Sequence, residues 1–285
     1  MSEALVLCRF VHFSAVLMLF GAWLFRPRLL KAPVPTLDRH LARLARWLTA
    51  IALVSGVTWA LLITASMAGS ATAAFDPDTI RLVLGNTFFG QVWRWHLLIN
   101  ALLLALLFTP WRSSLPLRLG LSALLLATLA PVGHGAMLDG LNGQLLILNQ
   151  IVHLTCVAAW LGGLLLLVLI LRQPGETMSR ILQRFSGVGY AIVGGLLITG
   201  LINVRVLTGQ WWPTPLFSGF ALILLIKALL VLGMLALALF NRLRIDDCEQ
   251  RMDALKRSVL LEWLLGMSAV AAVSLLGTLP PMIAA

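Results

Sequence analysis

Residues 150–171 read QIVHLTCVAAWLGGLLLLVLIL, a run of 22 residues without a single Asp, Glu, Lys or Arg. An α-helix needs about 20 apolar residues to cross the hydrocarbon core of a bilayer. A helix is also the favoured structure there, because it satisfies every backbone N–H and C=O group without water. The run therefore predicts a transmembrane helix.

The rest of the chain repeats this pattern. Its 285 residues are 60% hydrophobic and 11% charged, whereas a soluble domain has about a quarter charged residues, so the composition excludes a soluble enzyme. Seven further apolar runs lie at Ala4–Phe25, Leu44–Ala65, Val92–Pro110, Leu117–Val132, Phe185–Val206, Phe217–Phe240 and Val259–Leu279. The eight runs predict an all-α fold: a polytopic membrane helix bundle of about eight transmembrane helices, forming a single integral membrane domain over residues 1–285.

The positive charge indicates orientation. Of the 21 Lys and Arg residues, 16 fall in the alternate connections 26–46, 112–118, 172–184 and 242–257. The positive-inside rule assigns such connections to the cytoplasm. For a bacterial inner (plasma) membrane, this predicts a multi-pass protein with both termini in the periplasm. The basic side chains then lie along the anionic headgroups of the lipid bilayer, and no nucleic acid partner is expected.

Two halves of the chain resemble each other, at a fixed offset of 141 residues between the first and fifth spans and with gaps in the later spans. The matching positions are His12 with His153, Gly21 with Gly162, Ser55-Gly56 with Thr199-Gly200, and Leu97–Leu103 with Leu224–Leu230. The similarity predicts a parallel duplication of a four-helix unit, with pseudo-repeat halves 1–141 and 142–285 and an axis along the membrane normal. His12 and His153 are then expected to face each other across that axis. Chance similarity among Leu, Ile and Val stays open as the alternative.

Four of the five histidines map to the periplasmic half of the predicted bundle: His12, His96, His134 and His153. Polar and ionisable residues inside a membrane are costly, which makes these positions candidates for a functional site. Their similar depths predict one metal site built by all four. The alternative is that each histidine makes a hydrogen bond between helices, and the sequence alone does not establish that the side chains converge.

Soft ligand atoms accompany the histidines. Cys8 precedes His12 by one helical turn, Cys156 follows His153 by nearly one turn, and Met137 comes soon after His134. Imidazole, thiolate and thioether together select copper, especially Cu(I), over hard cations. We therefore treat Cys8, Cys156 and Met137 as auxiliary ligands, although a buried cysteine also packs well as a small hydrophobic residue.

Lys227 falls near the middle of the seventh run, where an unpaired ammonium is costly. Asn100, Asn203 and Glu262 are its candidate polar partners. We interpret Asn100, Lys227 and Asn203 as lining a transport path. A purely structural role in hydrogen bonding is the alternative for Lys227.

Several motifs resemble the CopD family of bacterial copper-resistance inner-membrane proteins. They are Arg9–Phe13 (RFVHF), Val132-Gly133-His134, His153-Leu154, Ala159–Gly163 (AWLGG), Lys227-Ala228 and Asn241-Arg242. The resemblance covers essentially the whole chain and implies eight spans and a role in copper homeostasis. It also implies transfer of copper across the inner membrane with a periplasmic copper-binding partner of the CopC type. This chain shows no fused soluble copper-binding domain, so such a partner would be a separate protein.

The sequence thus favours a copper homeostasis protein that binds a copper ion at a His-rich periplasmic site and imports it. No nucleotide-binding motif and no nucleophile with a nearby base are visible, so we do not expect an enzyme. The main alternative is a membrane protein that binds haem b and transfers electrons, ligated by His12 with His153 or by His96 with His134. A third reading is an assembly subunit whose histidines only bridge helices.

Overall fold

A computed structural model describes residues 2–132, 138–172, 178–217, 219–245 and 247–279. Over these ranges the chain contains no β-strand and forms nine α-helices. They are α1 (Ser2–Leu29), α2 (Pro35–Ala68), α3 (Pro77–Asn86), α4 (Phe88–Leu106), α5 (Leu115–Ala127), α6 (Gly140–Ile170), α7 (Met178–Thr208), α8 (Gly219–Leu243) and α9 (Met252–Leu276). The all-α class predicted from the sequence is confirmed.

Each apolar run corresponds to a helix, but six helices in the described ranges are long and apolar enough to cross a membrane: α1, α2, α6, α7, α8 and α9. The other two runs form α4, with 19 residues, and α5, with 13 residues. At 1.5 Å per residue α5 is about 20 Å long, which is short of the roughly 30 Å hydrocarbon core. Arg94, His96 and Asn100 all lie within the 19 residues of α4.

The short helix α3 was not predicted, because it lies outside the apolar runs. Asp76 caps it by accepting a hydrogen bond from the backbone N–H of Thr79 at 3.0 Å, and Pro77 occupies its first turn. The hydrogen bonds from the Thr79 hydroxyl and backbone hold the pKa of the Asp76 carboxyl below its usual value. A Cβ at Gly90 would lie 2.2 Å from the Val83 carbonyl oxygen, so this glycine allows α3 to pack closely on α4.

Helices α1 and α6 form the centre of the bundle, and α1 also packs against α2, α5 and α9. The backbones of α1 and α6 touch where the two helices cross. A Cβ on Gly162 would lie 2.5 Å from the Cα of Gly21, and a Cβ on Gly21 would lie 1.8 Å from the Ala158 oxygen. Small residues permit such close packing of membrane helices. Gly21 and Gly162 are equivalent positions in the duplication proposed from the sequence.

Candidate metal centre

His12 on α1 and His96 on α4 form a directly bonded imidazole pair. Their Nε2 atoms lie 2.9 Å apart, and both side chains are 0% exposed. The sequence placed both residues in the periplasmic half but gave no reason to pair them with each other.

A hydroxyl group orients each of the two rings. His12 Nδ1 lies 3.0 Å from the Ser55 Oγ on α2, and His96 Nδ1 lies 2.7 Å from the Thr128 Oγ1 just after α5. Both hydroxyls donate their single hydrogen to a carbonyl in the preceding turn of their own segment, at 2.6 Å for Ser55 and 2.8 Å for Thr128. We infer that both hydroxyls accept from Nδ1–H, because neither has a second hydrogen to donate.

This hydrogen bonding leaves the two Nε2 lone pairs facing each other. A shared proton or a metal cation satisfies both nitrogen atoms. Histidine ligands of metals commonly donate their second ring N–H to an acceptor that fixes the tautomer, as Ser55 and Thr128 do here. Metal–imidazole bonds are about 2.0 Å long. A metal between the rings therefore requires an Nε2–Nε2 distance of about 4 Å, compared with the present 2.9 Å.

Two buried tryptophans enclose the pair. Trp93 stacks on His96 with ring centroids 4.5 Å apart and an interplanar angle of 11°, and Trp59 meets His12 edge-on at 5.6 Å. The Trp93 indole N–H donates to the Gly56 carbonyl at 2.9 Å. A tryptophan near the end of a span is typical of an interfacial anchor, but Trp93 is 0% exposed and forms a wall of the site.

The structure separates the two described cysteines that the sequence proposed as auxiliary ligands. The Cys8 thiol is buried and donates to the Ser55 carbonyl at 3.1 Å, next to the imidazole pair. The Cys156 sulfur lies instead against α7, where a Cβ on Gly195 would come within 2.8 Å of it. His134 and Met137 lie outside the described residues. Within the ranges that the structure describes, no group of three or more His, Cys, Asp or Glu side chains is arranged to hold a metal ion.

His153 occupies a separate but similar environment in the second half. Its Nδ1 lies 2.9 Å from the Thr199 Oγ1, whose hydroxyl donates to a carbonyl of its own helix α7. Gly56 and Gly200 lie beside the two imidazoles: a Cβ there would be 3.3 Å from the His12 Cε1 and 3.7 Å from the His153 Cε1. The hydrogen-bond partner that faces His12 is therefore His96 and not His153.

His153 lines a cavity of about 180 Å³ bounded by α1, α6, α7, α8 and α9. Two of the predicted path residues, Asn203 and Lys227, line the same cavity, and so does Gln150. Asn203 donates to the Gln150 side chain at 2.9 Å and accepts from Asn149 at 2.9 Å. These bonds connect α6 to α7 along the polar wall of the cavity.

Asn100 does not line this cavity. It is 0% exposed, and its amide is satisfied when the nitrogen donates to the Thr49 carbonyl at 3.2 Å and the oxygen accepts from the Leu53 N–H at 2.9 Å. It follows His96 by one turn on α4, so it is adjacent to the imidazole pair and not to Lys227.

Glu262, the third candidate partner of Lys227, accepts from the Trp160 indole at 2.8 Å and from Asn241 at 3.4 Å. Arg9, which the sequence reasoning did not assign to a site, does line the cavity. One guanidinium nitrogen donates to the Gly277 carbonyl at 3.2 Å, and the group lies over Trp59 at 5.1 Å. A buried arginine inside an apolar run is itself the signal that could have found it.

The fold and the site define a class: a multi-pass helical membrane protein with a buried imidazole pair between α1 and α4. Residues 1–145 match the family model described as "Copper resistance protein D-like, N-terminal domain", and residues 179–276 match "Copper resistance protein D". The chain belongs to the copper resistance protein D family. This confirms the family resemblance seen in the sequence motifs.

Three relatives share most of this chain. It is 31% identical to "Inner membrane protein YebZ" of Escherichia coli (strain K12), with 96% of this chain and 97% of that protein covered. It is 27% identical to "Copper resistance protein D" of Pseudomonas syringae pv. tomato, over 96% and 95%. It is 28% identical to "Copper transport protein CutJ" of Bacillus subtilis (strain 168), over 76% of this chain and 41% of the relative. No solved structure matches the chain.

The YebZ relative and the six apolar helices also agree on location. The chain is a multi-pass inner-membrane protein of a copper resistance and transport family.

Proposed function

We propose that this protein binds a copper ion between His12 and His96 and transfers it across the inner membrane toward the cytoplasm. The observation that carries the proposal is the pair of Nε2 atoms 2.9 Å apart, each on a ring whose Nδ1 is held by a hydroxyl. Two imidazoles suit Cu(I), which readily accepts linear two-coordination, and imidazole is a common copper ligand.

The surroundings of the pair also favour copper over haem. At 2.9 Å the Nε2 atoms have no space for a macrocycle between them, and Trp93 packs face to face on His96. A single ion needs the rings to separate by only about 1 Å, given metal–nitrogen bonds of about 2.0 Å. Cys8 precedes His12 by one turn on α1 and donates to the Ser55 carbonyl, and it is proposed as an auxiliary soft ligand.

His134 and Met137 are proposed as ligands on the entry side, because they follow Thr128 closely in the sequence. The donor is proposed to be a separate periplasmic copper-binding protein of the CopC type. Asn100 is proposed as a polar group further inward on the route: it follows His96 by four residues, or about 6 Å along the helix axis. Asn203, Lys227 and His153 belong to the second half of the route.

A Cu(I) titration of the purified protein against a competing chelator tests the binding site. We expect one tightly bound Cu(I) in the wild type and a loss of affinity of at least about 100-fold in His12→Ala and in His96→Ala. His40→Ala is the matched control, because His40 is an exposed histidine near the start of α2. Wild-type affinity in both site variants would eliminate this proposal.

Transport needs a second experiment. Sealed vesicles of known orientation, loaded with a Cu(I) indicator, should accumulate copper from the periplasmic face with the wild-type protein and not with His96→Ala. Accumulation from the opposite face only would reverse the direction. An absorption spectrum of the same protein without a Soret band is expected, and stoichiometric haem would support the alternative instead.

A further inference from the structure

The cavity bounded by α1, α6, α7, α8 and α9 has an unbalanced charge. Arg9 and Lys227 both line it, and so does His153. Among the described residues along its wall there is no Asp or Glu. A cationic side chain at membrane depth is costly unless an anion or polar groups compensate it.

The protein supplies little of that compensation. The Nε of Arg9 is buried without a hydrogen-bond partner in the described part of the chain. Neither of the polar candidates described near it bonds to the Lys227 ammonium: Glu262 accepts from Trp160, and Asn203 donates to Gln150. The nearest carboxylate that sequence reasoning offered to Lys227 is therefore already engaged by Trp160.

The remaining wall is mostly apolar, with side chains such as Phe13, Leu154 and Val270. Its volume of about 180 Å³ exceeds that of a single small ion, since a water molecule occupies roughly 30 Å³. Helix α7 packs only sparsely against α8, which leaves the cavity less closed on that side. The two amides of Gln150 and Asn203 add polar atoms beside the cations.

We propose that this cavity binds an amphipathic organic anion, with a carboxylate or phosphate head at Lys227 and an apolar tail along the hydrophobic wall. The anion neutralises the Lys227 ammonium and accepts hydrogen bonds from it. Its source is either a lipid of the bilayer or a free organic anion of similar chemistry. Anion binding does not depend on the copper site, because neither His12 nor His96 lines this cavity.

Binding of octanoate to the purified full-length protein in an uncharged detergent tests the inference. Calorimetric titration should give clear saturable binding of octanoate and at least about tenfold weaker binding of 1-octanol, because only octanoate has the charged head. Lys227→Gln should weaken octanoate binding about tenfold, and Lys227→Arg should retain it. Arg81→Gln is the matched control, since Arg81 is an exposed basic residue on α3.

Lipid arms distinguish the two sources. If the anion is a lipid, the reconstituted protein should unfold at a higher temperature in phosphatidylglycerol than in phosphatidylcholine. Lys227→Gln should abolish that difference. Octanoate binding without a lipid preference assigns a free anion. Equal affinity for octanoate and 1-octanol, or unchanged octanoate binding in Lys227→Gln, would overturn the inference. His12→Ala should leave octanoate binding unchanged, which separates this result from the copper proposal.

Discussion

The most informative perturbation removes a hydroxyl and leaves both histidines in place. Ser55→Ala deletes the acceptor for the His12 Nδ1–H, a bond of 3.0 Å inside a fully buried site. A buried donor left without a partner costs about 1–3 kcal/mol, and loss of such an orienting partner lowers metal affinity about 10–100-fold. We therefore expect Cu(I) affinity to fall by that factor, equivalent to about 1.4–2.7 kcal/mol.

Competition titration with a Cu(I) chelator measures this change, and two variants control it. Ser268→Ala removes a serine whose hydroxyl also donates to its own helix, at 3.0 Å on the exposed face of α9. Thr199→Val removes the equivalent acceptor from His153. Both should keep the wild-type affinity within about twofold. A Ser55→Ala protein that binds copper like the wild type, or an equal loss in Thr199→Val, would refute the assignment of the site to His12.

Three further predictions concern acidity, packing and capping. Copper affinity of the imidazole pair should fall as pH is lowered, because protons compete with the metal for Nε2; a flat profile in the same titration would argue against imidazole ligation. Gly162→Ala should lower the free energy of unfolding by about 1–3 kcal/mol, since its Cβ would lie 2.5 Å from the facing backbone. Gly120→Ala should not lower it, because there is open space around Gly120. Equal stability of the two variants would contradict the close crossing of α1 and α6. Asp76→Ala should speed hydrogen exchange at the Thr79 amide. In the wild type the same loosening should appear as pH falls through the lowered pKa of Asp76, because a depressed carboxyl pKa stabilises the fold only above it; unchanged exchange would exclude the cap.

Hydrophobic length was enough to predict every long helix, because apolar runs are a direct requirement of the bilayer. It was insufficient for α3, a ten-residue helix whose start is defined by Asp76 and Pro77. It also overestimated α5, which ends at Ala127 and not near Val132. These errors come from local signals that start and end helices, which a search for apolar runs of about 20 residues does not detect.

The polar residues were the right ones to examine, but their grouping could not be read from the sequence. Depth along a helix is predictable from residue number, whereas the partner of His12 depends on how α1, α2 and α4 rotate about their axes. The structure pairs His12 with His96 and gives His153 a different cavity. The places of Trp59 and Trp93 beside the imidazole pair could not be predicted either, because only packing distinguishes a buried indole from an interfacial one.

The similarity between the halves gains a physical description at the level of single contacts. Ser55 and Thr199 each lie next to a histidine Nδ1 and are each followed by a glycine facing the imidazole. The shared unit is a histidine, a hydroxyl one helix away and a glycine that makes room for the ring. We propose that this unit was duplicated and that the two copies then diverged, so that the imidazole of the first half binds the metal and the imidazole of the second half lines the cavity.

X-ray absorption spectroscopy of the Cu(I)-loaded protein tests the central claim most directly, because it reports the atoms bound to the metal. Copper held between His12 and His96 should show two imidazole nitrogen ligands at about 2.0 Å, and the imidazole scattering should be lost in the His12→Ala, His96→Ala double variant. A first shell made of sulfur alone, or imidazole scattering that persists in the double variant, would contradict it.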